Sequence, residues 1–600
     1  MYNCFETKTL EEVGRRMTAV ALGQEKAQLV IRGAKLVNVC TCEIQDNMDV
    51  AVAHGRIALV GDASHCIGDE TTIVDAAGRY LAPGFLDGHI HVESSMLGVG
   101  EYARAVVPRG TTGIYMDPHE ICNVLGLDGV KHMIEDAART PLKAMVTIPS
   151  CVPAVPGFED TGAEILARDV EETMSWDAVV GLGEMMNFPG ILSGEANAHD
   201  EVAATLAANK VVTGHYSIPD TGAGLNAYIA SGVSCCHEST RAEDALEKIR
   251  RGMYAMIREG SAWHDLAEVS RAVTENDIDT RFVCLVSDDT HPHTLIEDGH
   301  IDHILRRAVA EGIEPLRALQ MVTINTATCF RMQHDLGSVT PGKCADFVLF
   351  DNLTNFRVAD VFIDGHHVAS EGRLLMDMKP YQYPRSDLNS VHLDKLQNTE
   401  HLKIPASKPD ADTARVRVIE IVPARVGTVE KFIDLPIQNG LIEADPDQDV
   451  LKAVVFERHK RTGRTGLGFV KGFGIRNGAM ASTVAHDAHN LLVIGSNDQD
   501  MILAANTLIE SGGGMCIVHN GKVLGHVALP IAGLMSEGSA EQVAAKVAAM
   551  DDAWRKLGST IASPFMTMAL IPLACLPELR LTNRGLVDCR TFEFVGLETE

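Results

Sequence analysis

Leu81-Ala-Pro-Gly-Phe-Leu-Asp-Gly-His89-Ile-His91-Val-Glu-Ser-Ser-Met96 opens on a short apolar run and ends just past two histidines separated by one residue. In an extended chain alternate side chains point the same way, so His89 and His91 project to one side and can grip one ion. Histidines at that spacing also occur as plain surface or core residues. The surrounding sequence has to decide between the two.

Outward from this stretch, apolar runs recur at residues 81–85, 112–116, 144–148, 178–182, 210–213, 233–236, 254–257 and 282–286. The stretches between them, such as 201–208 and 242–249, have helical composition and spacing. Alternating strand and helix predicts a parallel α/β arrangement, and eight runs fit a (β/α)8 barrel over residues 80–335. A doubly wound open sheet alternates in the same way and stays as the alternative.

The flanks differ in texture. Residues 28–75 alternate β-like runs with turns and read as a small antiparallel sheet. Strand-like runs return at 346–350 and 358–363, followed by the turn Asp364-Gly365. These two pieces can meet as one small β domain formed by residues 1–79, with an N-terminal helical lead-in, and 336–381. Residues 382–413 are polar, with scattered Pro, Asp, Lys and Ser, and read as a linker. Residues 414–600 read as a separate C-terminal α/β or α+β domain, with strand-like runs at 416–421, 454–457, 491–494 and 515–519 and helix-like runs at 500–510 and 540–550.

Composition narrows the function classes. In 600 residues, 46% hydrophobic and 22% charged is ordinary for a soluble globular enzyme. A net charge of −29 argues against nucleic acid or an anionic membrane as partner and leaves a small neutral substrate open. The 14 cysteines are irregularly spaced and form no Cys-x-x-Cys pair, which suits reduced, mostly buried thiols. The N-terminus is too charged for a secretory signal, and no apolar run approaches ~20 residues. The expectation is a soluble, cytoplasmic protein.

The ends of later strands repeat what the His89/His91 pair does. Glu184 follows the run from residue 178, His215 follows 211–214, His237 follows 233–236 and Asp288 follows 282–287. Barrel active sites are built at the C-terminal ends of strands, and a buried imidazole or carboxylate there is costly unless paired or bound to an ion. His89, His91, Glu184, His215, His237 and Asp288 exceed what one four-coordinate ion needs and suit two ions with a carboxylate between them. The all-N/O donor set is compatible with Zn, Mn or Fe.

This arrangement resembles the amidohydrolase superfamily: His-x-His after the first strand, a bridging residue after the fourth, His after the fifth and sixth, Asp after the eighth. Leu336-Gly-Ser-Val-Thr-Pro-Gly-Lys-Cys-Ala-Asp346 resembles the segment that returns from its barrel into a small flanking β-sandwich. Many members bridge their metals with a carboxylated lysine; here the position is Glu184, which can bridge directly. The closer resemblance is to bacterial adenine deaminases. It rests on Gly88-His-Ile-His-Val-Glu-Ser-Ser-Met96, Asp117-Pro-His-Glu120, Gly183-Glu-Met-Met186, Ser287-Asp-Asp289, Ala485-His-Asp-Ala-His-Asn490 and Gly533-Leu-Met-Ser536.

The resemblance implies hydrolysis of adenine to hypoxanthine and ammonia, with two divalent ions, Mn or Fe favoured and Zn allowed. A metal-activated hydroxide would attack C6, Asp288 would act as base and then acid, and Glu184 would bridge. Glu93, His119, Glu120, Asp289, His486 and His489 are candidates for substrate contact or for support behind the ligands. A homo-oligomer is expected, as is common for such enzymes. Ser94 and Ser95 read as helix caps. His91-Val-Glu93 matches half of another deaminase signature, but no Pro-Cys-x-x-Cys follows, which excludes that family. The competing readings are another reaction of the same superfamily, on a cyclic amide or a different base, and a metal-binding scaffold without activity.

Overall fold

The computed structural model describes residues 3–261, 263–422, 426–561 and 563–599. Its centre is a (β/α)8 barrel. The strands are β1 (Phe85–His91), β2 (Thr111–Met116), β3 (Lys143–Ile148), β4 (Val179–Met185), β5 (Val211–Gly214), β6 (Val233–Cys236), β7 (Tyr254–Arg258) and β8 (Val283–Val286). Each pairs in parallel with the next. Beyond Ser287, Asp288–Asp289 pairs in parallel with Ile90 and His91 of β1 and brings the sheet close to closure. Most strand residues are buried on both faces, which explains why the strands read as nearly unbroken apolar runs. Leu86, Tyr115, Met145, Val211, Met256 and Cys284 pack in one interior cluster. The polar strand ends therefore sit on an apolar plug, not over a pore.

The first run behaves differently from its sequence reading. Residues 81–85 do not form one barrel strand. Tyr80–Pro83 belongs to a separate nine-stranded sheet, where it pairs with Leu29–Asn38 and Phe347–Phe350. The chain then crosses at Gly84, where an added Cβ would lie 2.1 Å from Thr112 Oγ1, and enters β1. That flanking sheet is mixed rather than antiparallel, because Leu29–Asn38 runs parallel to both Thr72–Asp75 and Tyr80–Pro83. The 28–75 segment cannot complete the sheet through hairpins alone.

Lys143 ties this sheet to the barrel. Its Nζ donates to both Asp346 oxygens at 2.7 Å and to Asp364 Oδ1 at 2.8 Å, all three side chains being buried. Burial opposes the Lys143 charge, but the two carboxylates outweigh it and hold the ammonium above its ordinary range.

Residues 413–599 carry a second nine-stranded sheet, a three-stranded sheet at Leu579–Val595, and the helices Asp498–Ser511 and Ala540–Lys556. Among the described residues, one pair in the larger sheet is parallel, Thr413–Ile421 with Thr465–Lys471. Residues 382–413 pack along this unit: Leu396 and Asn506 exchange hydrogen bonds of 2.8 and 3.0 Å, and His392 N donates to Arg458 O. The unit docks on the barrel mouth. Ser536 N donates to Met96 O at 2.8 Å, just past β1. Beyond β3, Asp160 accepts from Arg464, Arg584 and Asn583. None of the described helices is long and apolar enough to cross a membrane.

Replacing Lys143 with Met would strand two buried carboxylates. The expected cost is about 3–5 kcal/mol, read as a lower urea midpoint; a loss below about 1 kcal/mol would contradict the tie. The Asp160 junction should respond to acid. Burial raises this carboxyl, but Arg584, Asn583 and Arg464 overcome that and hold it well below the usual carboxylate range. Its contribution is then complete above about pH 4 and fades as pH falls through the lowered value. Asp160→Asn should cost about 1–2 kcal/mol at pH 7, with the gap to wild type narrowing below pH 4. A pH-independent gap would count against the assignment.

Candidate metal centre

A break in β1 aims the two histidines. Leu86 points into the interior cluster, whereas Asp87 faces the helices, accepting from Ser287 N at 3.1 Å and lying 3.0 Å from His300 Nε2. The register with β2 then shifts between Asp87 and Ile90. After the shift Ile90 packs with the outer core, and His89 stacks on His237 across the mouth with ring centroids 3.9 Å apart. The period of two holds for His89 and His91, but the face it selects is set by this break.

All six strand-end residues converge. His91 Nε2 lies 3.3 Å from both Glu184 Oε1 and Asp288 Oδ1, and His89 Nε2 lies 3.6 Å from Asp288 Oδ1. His237 Nε2 is 3.2 Å from Glu184 Oε2, which also meets His215 Nδ1. Ligand-type atoms of His89, His91 and Asp288 lie within 4.8 Å of one another, as do those of His89, Glu184 and His237. Glu184 stands between the groups, one oxygen toward each. His91 Nδ1 pairs with Asp117 O at 2.8 Å, which fixes the ring and leaves Nε2 facing the centre.

The donor set fits divalent metal. His89 Nε2 is buried with no hydrogen-bond partner, a costly state that a bound cation relieves. The six residues offer imidazole and carboxylate only. Burial pushes the Glu184 carboxyl up, but His215, His237 and His119 outweigh it and hold it well below its ordinary range. Burial, with His237 and His91 beside it, holds the His89 imidazole well below its ordinary range, whereas Asp288 and Glu184 overcome burial at His91 and hold it above.

The remaining candidates divide. His119 Nδ1 is 3.2 Å from Glu184 Oε1. Glu93 and Glu120, both buried, and the half-buried Asp289 form an acidic group beside the centre. Ser94 Oγ, with one proton to give, sits between Glu120 Oε1 at 3.1 Å and Asp289, and Glu93 Oε1 accepts from Ile121 N at 3.1 Å. Burial, with Glu93 and Asp289 adding to it, pushes the Glu120 carboxyl up to about 8. His486, from the C-terminal unit, lines the chamber; its Nδ1 is 3.9 Å from Glu120 Oε1. His489 lies behind it, with Nδ1 accepting from Ala485 N at 3.2 Å. Ser94 and Ser95 cap no helix: the next one starts at Val99 behind Gly98, and Ser95 Oγ returns to Val92 O.

Several site residues escaped the sequence reading. Arg258 ends β7 and donates from Nη1 to Asp288 Oδ2 at 2.9 Å, while also binding Glu238 and Asp265. The strand-end rule, extended to cations, would have found it. Asp117 accepts the Glu184 N–H at 2.7 Å, an approach that requires Gly183, where an added Cβ would lie 2.5 Å from Asp117 Oδ2. Asp487, beside His486, reaches to 3.9 Å from His119 Nε2.

Residues 80–368 match the model of the amidohydrolase family, and residues 425–593 match the adenine deaminase C-terminal domain. The chain is 64% identical over 600 residues to an adenine deaminase of Clostridium botulinum, with all of both chains covered. It is 52% identical to an adenine deaminase of Moorella thermoacetica, covering 99% of each chain, and 45% identical to one of Mesorhizobium japonicum, covering 98% of each.

Metal should stabilise this centre directly. Returning Mn2+ to chelator-stripped protein at 100-fold above its dissociation constant is expected to add about 2.7 kcal/mol per site, seen as a rise in Tm. The double substitution His89→Ala/His91→Ala should lower both the rise and the metal measured by mass spectrometry. Equal shifts in the two proteins would exclude the pair as ligands.

Proposed function

The chain belongs to the adenine deaminases of the amidohydrolase family, and on that premise we propose how its residues turn adenine and water into hypoxanthine and ammonia. It is a hydrolase that acts on adenine. The observation that carries the assignment of roles is the convergence of four imidazoles and two carboxylates on one buried point at the barrel mouth.

His89, His91 and Asp288 would hold one divalent ion and His215 and His237 the other, with Glu184 bridging. Mn or Fe is favoured and Zn is allowed. Metal in such a site makes water acidic enough to act as a nucleophile at neutral pH. Asp288 takes a proton from the attacking water as the new C–O bond forms at C6, then returns it toward the ring or the departing amine. The C6–N bond breaks and ammonia leaves. Arg258 holds Asp288 from the side opposite His89 and His91, which orients the carboxylate and favours its charged form. Glu120, pushed up to about 8 by burial and by Glu93 and Asp289, can donate to a ring nitrogen and stabilise charge that builds there. His119 lies beside Glu184 and can steady the leaving amine. The polar groups of the centre are themselves almost fully buried, which strengthens each of these interactions.

Asp288→Asn keeps the shape and removes the base. Turnover of adenine, followed by ultraviolet absorbance, should fall by about 10²–10⁴-fold with wild-type circular dichroism. Near-normal turnover would remove Asp288 from the proton path.

A further inference from the structure

The C-terminal unit supplies one wall of the chamber beside the converging strand-end residues. That wall is apolar at Leu570, Leu573 and Leu576, with Asp487 as its carboxylate. Asp487 is 2% exposed. Its Oδ2 has no hydrogen-bond partner, and Oδ1 is 3.6 Å from His486 Nδ1 and 3.9 Å from His119 Nε2, both too far for a hydrogen bond. A buried carboxylate oxygen with nothing to accept from is costly, so the site is built for a donor that arrives with the ligand.

We propose that Asp487 accepts the imidazole N–H of the free purine base and thereby selects adenine against its N9-substituted forms, nucleosides included. The inference rests on adenine occupying this chamber. A free purine has one ring N–H, on its imidazole half, whereas a nucleoside has none because N9 carries the sugar. Scale fits as well. The His119 ring spans the gap between Glu184, 3.2 Å from its Nδ1, and Asp487, 3.9 Å from its Nε2. The base would therefore lie alongside the His119 ring rather than in its place, since Glu184, His119 and Asp487 all line the chamber. With C6 toward Glu184 and Asp288, its outer N–H edge would then reach toward Asp487.

The loop backbone that carries Asp487 is braced before any ligand binds. The next residues of its loop are held from the C-terminal sheet: Arg458 donates to His489 O, and His459 Nε2 pairs with Ala488 O at 2.7 Å. Asn490 Nδ2 reaches across to Asp160 O of the barrel at 2.9 Å. A site organised to hydrogen-bond an N–H rejects an analogue lacking it far more strongly than an apolar pocket rejects an extra methyl group.

The test is kcat/KM for adenine and 9-methyladenine in wild type, Asp487→Ala and Asp487→Asn, with circular dichroism and bound metal measured on each. Wild type should prefer adenine by at least about 10³-fold. Asp487→Ala should lose about 10²-fold on adenine and gain on 9-methyladenine, so that the preference collapses. Asp487→Asn should keep an intermediate preference, and it carries the test if the alanine variant fails to fold. Equal use of both bases by wild type would overturn the proposal. So would a parallel loss on both bases, or an unchanged preference in either folded variant. Wild type inactive on adenine would instead remove the deaminase reading beneath it.

Discussion

Glu184 lies almost without water at the top of the barrel, and imidazoles of His91, His119, His215 and His237 gather on its two oxygens. A carboxylate in that position is tolerable only with compensating charge on every side. The rest of the mouth follows from that requirement. Asp117 anchors the Glu184 backbone, Gly183 makes the approach possible, and Asp117 O orients the His91 ring. Asp288 completes the ring from the last strand and is itself balanced by Arg258. Each group needs its neighbour charged or metal-bound, so losing one should disturb several.

Much of this was legible because strand-end chemistry is local. A polar residue ending an apolar run shows in sequence wherever the run is short and buried on both faces. That rule singled out all six side chains that converge at the mouth. It sent His89 and His91 there for an incomplete reason: a plain strand would put them on the same face as Asp87, which faces the helices. The register break between Asp87 and Ile90 turns them to the mouth, and a register break has no compositional mark of its own. The first barrel strand was set too early for a related reason. Tyr80–Pro83 and the start of the next strand, Phe85-Leu86, make one nearly continuous apolar stretch, and only pairing separates them into two sheets.

The C-terminal unit was harder to read. Thr428–Gln438 is a strand with exposed Phe432, several charges and Pro436, so neither alternation nor an apolar run marks it. The same holds for Asp487. Its motif was visible, but nothing local shows that a residue more than 350 positions beyond His119 lies beside it. Ser94 looked like a cap because serine before a helical stretch usually is one. Here the tertiary demand of two carboxylates, the buried Glu120 and the half-buried Asp289, takes its hydroxyl instead.

A site divided between two folded units works only if their relative position is set within about 1 Å, since small misplacements of catalytic groups are costly. Arg458 shows how this is done. It is fully buried, and its guanidinium donates to His489 O, Ser390 O and Oγ, and Ala532 O. Burial pulls it down to about 9, which still leaves it charged at neutral pH. One cation thereby fixes three chain segments through their backbones. One carries His486 and Asp487 into the chamber. Another leads through Ile531–Met535 to Ser536, which bonds the backbone just past His91. A carboxylate partner would neutralise Arg458 but could hold only itself in place. Carbonyl partners convert the same charge into a fixed distance between the C-terminal loop and the metal ligands.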